Sequence, residues 1–251
     1  MIDIWSACRQ SFTPRTLQGE LIRIVESQEQ VATTALVDDL QEQDLLEQML
    51  EYSKPPRRPA TESLHYLLAT PFRYPPLPHG SRLGSRFEPG LLYGSQQTHG
   101  VLAEAGYYRL VFWAGMQVPP PSGTLVTEHT VFGARYHSAQ GAALQHPPFA
   151  AYEKTLTDPA DYAATQQLGS ALRSAGIEAI EYLSARTVER TINVGLLSPA
   201  ALASPRPTFQ QHWLCRTRAG QVGFYSSETR EVHTFARESF LVRGQLPSPC
   251  I

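Results

Sequence analysis

The chain has 251 residues, a formal net charge of −2 and 42% hydrophobic residues, all ordinary values for a soluble globular protein. This length is sufficient for a buried core in one large domain, or in a domain with an appendage. The near-neutral charge argues against electrostatic attraction to nucleic acid or to an anionic membrane surface. No apolar run reaches the roughly 20 residues that span a membrane, and the N-terminus lacks the pattern of a signal peptide. Three widely separated cysteines suggest no disulfide framework and predict a reducing cytoplasm.

Apolar residues at helical spacing predict two N-terminal helices, over residues 16–31 and 35–52. Acidic side chains outnumber basic ones in this stretch by nine to one, with Arg23 as the single base. The prediction is an acidic helical hairpin followed by a proline-rich linker, so that residues 1–60 form an extension and residues 61–251 the main domain. The acidic surface has two interpretations, a binding site for a partner or a face in contact with water.

The rest of the chain is richer in strands than in helices. Strands are expected at GLLYG, at 107–115, at 124–138 with a possible bulge at Gly133, and at four or five later positions. Helices are expected at THGVLAEAGYY and at 158–175, where Asp158 would be the cap and Gly176 the stop. Strands that mostly follow one another without helices indicate an α+β domain and not a doubly wound sheet.

Residues 71–109 combine four arginines, two tyrosines and a lone helical carboxylate, Glu104, in one passage of turn, strand and helix. Cations and aromatic rings beside one carboxylate suit a ligand with phosphates, an aromatic ring and a sugar. A dinucleotide such as NAD has all three. Composition alone favours a plainer interpretation, in which the arginines are surface charges and Glu104 is a solvated helix residue.

The common motifs for other chemistries are missing from the sequence. There is no GxxxxGK[ST], GxGxxG, HExxH or GxSxG. The histidines are not spaced like a zinc site, so no metal is expected. Glu88 and Glu104 do not suggest a glycosidase pair, because Glu88 lies in a Pro/Gly turn.

The stretch GSRFEPGLLYGSQQTHGVLAE resembles the RES-domain family, the toxins of bacterial toxin–antitoxin pairs. In that family a G-G-R-W turn is followed by a strand that ends in Tyr and by a Glu eleven positions beyond it. Here Arg86 lies in the turn, Tyr93 ends the strand and Glu104 is the glutamate. A second block, 176–199, resembles the family's later strand, which ends in a serine, here Ser184. Phe87 and Ser85 replace the family's Trp and Gly, and the loop before Tyr93 is short.

The resemblance implies a split, mixed β-sheet with flanking helices, similar to ADP-ribosyltransferases. It also implies a cytoplasmic enzyme that consumes NAD as substrate, with phosphate as a candidate co-substrate and no prosthetic group. A helix-turn-helix antitoxin is the implied partner. Neither direct nucleic-acid binding nor a membrane is expected, and a homodimer is left open.

The resemblance assigns roles to eight residues. The expected catalytic residues are Glu104, Arg86 and Ser184. The expected substrate-binding residues are Arg73, Tyr74, Arg82, Tyr93 and Arg186.

Three functions remain open at this point. The first is an NAD-cleaving toxin that uses phosphate or water as the acceptor. The second is a mono-ADP-ribosyltransferase with a protein target. The third is a non-enzymatic interaction protein that acts through its acidic N-terminal surface.

Overall fold

A computed structural model describes residues 2–27 and 36–247. Eight strands in these residues form one mixed sheet, and helices flank it. The strands are β1 (Arg15–Glu26), β2 (Leu92–Ser95), β3 (Leu125–Ala143), β4 (Ala179–Leu183), β5 (Ile192–Leu196), β6 (Gln210–Arg218), β7 (Gln221–Tyr225) and β8 (Val232–Ala236). The helices are α1 (Ile4–Cys8), α2 (Leu40–Ser53), α3 (Tyr66–Arg73), α4 (Thr98–Ala114), α5 (Glu153–Leu156) and α6 (Ala163–Ser174). The predicted α+β class is confirmed.

The long strand β3 connects two parts of the sheet. Its first half pairs antiparallel with β6, which continues through β7 to β8. Its last residues pair in parallel with β4, which continues through β5 to β2. Along its other edge β3 pairs with β1, and β1 also meets β2 at Ile22 and Ser95. The strands β1, β2, β5, β4 and β3 therefore close a ring, and β6–β8 extend from it.

The first predicted helix of the N-terminal hairpin is wrong where the chain is described, because Arg15–Glu26 is a strand. Leu17 and Leu21 are both buried, and a spacing of four places two residues on one face of a strand as well as of a helix. Two features favour the strand: long-range pairing with β3, and the β-branched residues Ile22, Ile24 and Val25. Residues 28–31 lie outside the described residues. The division at residue 60 stays a prediction, although β1 belongs to the main sheet.

The strand predicted at 107–115 is also wrong, because residues 107–114 form the second half of α4 and Gly115 caps it. Tyr107 and Leu110 are buried, whereas Tyr108 and Phe112 are exposed, which is helical spacing. The aromatic and β-branched residues that favoured a strand are overridden by packing of this helix against β1, β6 and β7.

Most of the other predicted elements are confirmed. The second N-terminal helix appears as α2, the GLLYG strand as β2 and the 124–138 strand as β3, in which Gly133 pairs regularly and makes no bulge. The helix predicted from residue 158 begins only at Ala163, because Asp158 instead accepts hydrogen bonds from two following amides in a turn. No helix within residues 2–27 and 36–247 is long and apolar enough to cross a membrane.

Helix α6 approaches the loop between α3 and β2 without an intervening side chain. A Cβ at Gly169 would lie 2.0 Å from the Leu83 carbonyl oxygen. The side-chain amide of Gln166, on the same helix, donates to the carbonyls of His79 and Ser81 at 3.1 and 2.9 Å. Contacts with α6 therefore fix the loop that carries Arg82.

We expect Gly169→Ala to destabilise the protein by about 1–3 kcal/mol, because backbone must move to admit the methyl group. Replacing a glycine by alanine at a helical position with free space around it would instead stabilise the protein by about 1 kcal/mol. Thermal unfolding checks this, with Gly220→Ala as the control, since nothing lies within 4 Å of a Cβ at that turn position. Equal melting temperatures for the two variants would contradict the close packing.

Candidate active site

A cleft of about 460 Å³ lies between α4, the sheet and the loop that joins α3 to β2. This volume falls in the range of small-molecule sites, roughly 300–1,000 Å³. Arg23 and Arg82 line the cleft, and Glu104 is the one carboxylate among the described residues that line it. Five tyrosines also contribute to the wall: Tyr74, Tyr93, Tyr108, Tyr162 and Tyr182. The cleft thus combines cations, aromatic rings and a single acid.

Glu104 lies in the middle of α4, and one of its two carboxylate oxygens is held in place. Oε1 accepts a hydrogen bond from Ser184 Oγ at 3.0 Å and another from Asn193 Nδ2 at 2.9 Å. Oε2 lies 4.0 Å from Arg186 Nε, and about a quarter of the side chain is exposed. Two donors on one oxygen fix the orientation of the carboxylate and leave Oε2 available to a ligand.

Ser184 and Arg186 support Glu104 from behind and are not among the residues that line the cleft. Ser184 Oγ accepts from the Arg186 amide at 3.1 Å. The Arg186 guanidinium lies 3.5 Å from the centre of the Tyr107 ring and donates to Tyr162 Oη at 2.9 Å. Its side chain is only 1% exposed. These contacts suit Ser184 and Arg186 to positioning the carboxylate, and they do not place Arg186 against a substrate.

Tyr93 joins the strand β2 to the preceding loop through its hydroxyl. The hydroxyl shares a 2.8 Å hydrogen bond with Ser81 Oγ and accepts from the Leu83 amide at 2.9 Å. Burial raises the pKa of Tyr93 to about 12. Tyr93 therefore lines the cleft, and its hydroxyl also holds the loop that forms the opposite wall of the cleft.

Arg82 lies in a tight turn closed by the Ser81 amide, which donates to the Gly84 carbonyl at 2.8 Å. Its Nη1 donates to the carbonyls of Leu156 and Asp158, and its guanidinium lies 4.1 Å from the centre of the Tyr162 ring. Its Nη2 is buried and has no hydrogen-bond partner among the described residues. Arg82 is thus a fixed cation in the cleft with donor capacity left over.

Arg73 and Arg86 are not among the described residues that line the cleft, and the substrate-binding role expected for Arg73 and the catalytic role expected for Arg86 stay predictions. Arg73 donates to Glu51 Oε1 at 2.7 Å and to the Pro55 carbonyl, so it ties α3 to the end of α2. Arg86 is exposed, 4.7 Å over the Phe87 ring, in a turn that the Ser85 amide closes by donating to Glu88. Tyr74 does line the cleft. Among the arginines considered, Arg82 is the one that the structure brings to Glu104's cleft.

Asn193, Tyr162 and Arg23 were missed at the sequence level. Asn193 is a polar residue inside the apolar strand INVGL, and such an interruption is a signal that can be found without a structure. Tyr162 precedes a helix and carries no local signal. The sequence pattern predicts a helix around Arg23, so its place at the cleft depends on recognising β1 as a strand. No group of three or more potential metal-ligating His, Cys, Asp or Glu residues occurs in the described ranges.

The described residues thus form an α+β fold in which a fixed acid, a buried arginine and several tyrosines surround one cleft. Residues 55–218, about two thirds of the chain, match the family model described as the RES domain. The chain therefore belongs to the RES domain family. This family is associated with toxin–antitoxin pairs and with enzymes that act on NAD. None of the curated proteins matches the chain.

The Tyr93 hydroxyl gives a prediction for alkaline pH. An unfolded tyrosine has a pKa of about 10, whereas that of folded Tyr93 is about 12. The folded state keeps the proton longer, so the free energy of unfolding should fall as the pH rises from about 10 towards 12. We expect Tyr93→Phe to remove this part of the decline.

Urea unfolding of wild type and Tyr93→Phe between pH 8 and 11.5 measures the difference. At pH 8 the variant should be less stable by about 1–2 kcal/mol, because the Leu83 amide loses its acceptor. Tyr52→Phe is the control, since Tyr52 is 90% exposed. Parallel pH profiles for wild type and Tyr93→Phe would rule out the proposed role of this hydroxyl.

Proposed function

We propose that this chain is the toxin of a toxin–antitoxin pair and that it cleaves NAD at the bond between nicotinamide and ribose. The observation that carries the proposal is the geometry of Glu104. Its Oε1 is held by Ser184 and Asn193, and its Oε2 is left for a ligand in a cleft with no other carboxylate among the described lining residues. A carboxylate that is held in a fixed orientation, in a cleft also lined by arginines, suits a reaction in which positive charge develops beside that carboxylate.

Cleavage of the nicotinamide–ribose bond has this requirement. As the C1′–N bond breaks, its electron pair leaves with nicotinamide, which becomes neutral, and positive charge develops on the ribose. A carboxylate fixed in advance stabilises this charge without having to reorient during the reaction. An acceptor oxygen then bonds to C1′; a water or hydroxyl oxygen releases its proton to solvent, whereas a phosphate oxygen is already ionised. In this scheme Oε2 of Glu104 faces the ribose.

The other residues of the cleft suit the remaining parts of NAD. Arg82 lines the cleft, its buried Nη2 has no hydrogen-bond partner among the described residues, and a guanidinium fork matches phosphate geometry. Tyr74 and Tyr93 offer ring surfaces for nicotinamide or adenine. The mixed sheet, in which β3 joins two sets of strands, supports the proposed likeness to the ADP-ribosyltransferase fold.

The same cleft serves equally for transfer of ADP-ribose to a protein, which is the second candidate. A fixed glutamate stabilises the developing ribose charge whichever acceptor follows.

The third candidate function is that of a non-enzymatic interaction protein, and the exposed surface of α2 is the observation that favours it. None of the residues of α2 is buried, and Leu45, Met49 and Tyr52 are all more than half exposed. We propose a helix-turn-helix antitoxin as the protein partner in the first case.

Nicotinamide release from NAD tests the proposed function directly. We expect release by the wild type and a fall of roughly 10²–10³-fold in Glu104→Gln, because the substitution removes the charge and keeps the shape. Acceleration by phosphate would identify phosphorolysis. Release without phosphate dependence would indicate water or a protein as acceptor, and labelled ADP-ribose on a protein would separate these two.

Glu62→Gln is the matched control, because Glu62 is exposed and lies outside the cleft. It should release nicotinamide at the wild-type rate. No release by folded wild type, free of antitoxin and with or without phosphate, would refute NAD cleavage. In cells, expression of the wild type should arrest growth and lower NAD, and expression of Glu104→Gln should do neither.

The two donors to Oε1 should act on the chemical step more than on binding. We expect Ser184→Ala and Asn193→Ala each to lower kcat by about 10-fold, the effect of one hydrogen bond to a charged group, with little change in KM. Asn193→Asp should be worse than Asn193→Ala, since it places a second carboxylate beside Glu104. A rise in KM at constant kcat would show that these residues bind substrate instead of positioning Glu104.

A further inference from the structure

Strand β8 is the free edge of the sheet in the described part of the chain. At the other end of the strand order, β1 is paired with β3 as well as with β2, whereas β8 pairs with β7 alone. A free edge presents a row of main-chain donors and acceptors that can pair with another strand. The five residues of β8, VHTFA, include no proline, lysine or bulge of the kinds that usually block such pairing.

The hydrogen bonds that flank β8 show which of its main-chain groups face outward. At one end the Ser226 amide donates to the Glu231 carbonyl at 3.1 Å, and at the other the Arg237 amide donates to the Gly220 carbonyl at 2.9 Å. An antiparallel strand turns the amides and carbonyls of successive residues to alternate sides, so the odd-numbered positions bond to β7. The residues that turn these groups to the free edge are Val232, Thr234 and Ala236.

These three positions are open to a further strand. Among the described residues, no main-chain group outside β7 bonds to β8 there. The Ala236 carbonyl accepts from Ser239 Oγ at 2.6 Å, but a carbonyl oxygen has a second lone pair. The side chains on this face of β8 are exposed, Val232 by 70%. The opposite face packs on α4 through the rings of His233 and Phe235, which holds the strand in place.

The main chain of β8 matches a second copy of itself in an antiparallel pair centred on Thr234. In this register Thr234 faces Thr234 of the other copy, and Val232 faces Ala236. All three outward residues then bond to outward residues, which is the pairing that an antiparallel ladder requires. A threonine pair across two strands is also a favourable contact between side chains.

The charges at the ends of β8 complement each other in the same register. Glu231 faces Arg237 of the other copy, and the twofold axis repeats this contact at the other end of the pair. Opposite charges that face each other across two strands stabilise their pairing. If the centre moves by one residue in either direction, Glu231 faces Phe235 or Ser239 instead. The edge is therefore self-complementary, as an interface with twofold symmetry must be.

We propose that β8 is a dimerisation edge, at which two copies of this chain join their sheets through an antiparallel pair of β8 strands. The partner is a second copy because the main-chain groups and the charges of this edge complement themselves. None of the described residues that line the cleft belongs to β8, so dimerisation and the proposed function can fail separately. Two short strands bury little surface, so the dimer belongs with the weaker protein–protein complexes.

Sedimentation equilibrium of the full chain, free of antitoxin, measures the dimer. Protein at about 100 µM reveals even a dissociation constant in the micromolar range, and the wild type should be dimeric there. Thr234→Pro should weaken the dimer by at least about 100-fold, because proline removes an amide that faces the free edge. Its melting temperature should stay close to that of the wild type, since no bond to β7 is lost.

Exchange of the charges tests the register. We expect Glu231→Arg and Arg237→Glu each to weaken the dimer by roughly 10-fold, because each variant places like charges opposite each other at both ends of the pair. The double variant Glu231→Arg/Arg237→Glu should restore the wild-type dissociation constant. These two residues lie about 20 Å apart along one extended strand, so the rescue can arise only between copies. Arg216→Glu is the matched control, since Arg216 is an exposed arginine on β6, away from the edge, and it should dimerise like wild type.

The outcomes decide both the edge and the register. A wild type that stays monomeric at about 100 µM would overturn the inference. A dimer that survives Thr234→Pro unchanged would do the same, because it would use another surface. If Thr234→Pro does not fold, the charge variants decide, and a double variant that fails to restore the dimer would overturn the proposed pairing.

Discussion

The two hydrogen bonds to Glu104 Oε1 depend on most of the fold. One donor, Ser184, directly follows strand β4, and the other, Asn193, lies in the adjacent strand β5. Glu104 itself is on α4. Strand pairing brings the two donors close together, since Tyr182, two residues before Ser184, is the register partner of Asn193. Packing of α4 on the sheet then brings the carboxylate to them. The acid is thus oriented before any ligand arrives, which is the condition for electrostatic stabilisation of a charged transition state.

The opposite wall of the cleft depends on a second set of contacts. Gly169 lets α6 touch the backbone at Leu83, and the Tyr93 hydroxyl holds the same turn from the other side. Arg82 is fixed as a consequence. Arg23 reaches the cleft from β1, which precedes the part of the chain that matches the RES model. The N-terminal segment therefore takes part in shaping the site.

The sequence predicted those helices and strands whose apolar residues fit only one periodicity. The remaining helices and strands were determined by contacts between residues far apart in the chain. A short motif of fixed spacing, GLLYG and the helix after it, predicts that Tyr93 and Glu104 share a site, and both residues line the cleft. The strand β1 was missed because Leu17 and Leu21 satisfy helical and extended spacing alike, and only pairing with β3 separates them. The place of Arg73 and Arg86 outside the cleft could not be predicted, because sequence gives the order of charged residues and not their contacts, such as the ion pair between Arg73 and Glu51.

The most direct test of the central claim is a crystal structure of Glu104→Gln with NAD bound, because this variant is expected to bind NAD and to cleave it slowly. We expect the nicotinamide ribose to face the atom that replaces Oε2, while Ser184 or Asn193 still contacts its neighbour and a phosphate oxygen meets Arg82. NAD bound outside this cleft, or bound with its ribose away from residue 104, would contradict the account.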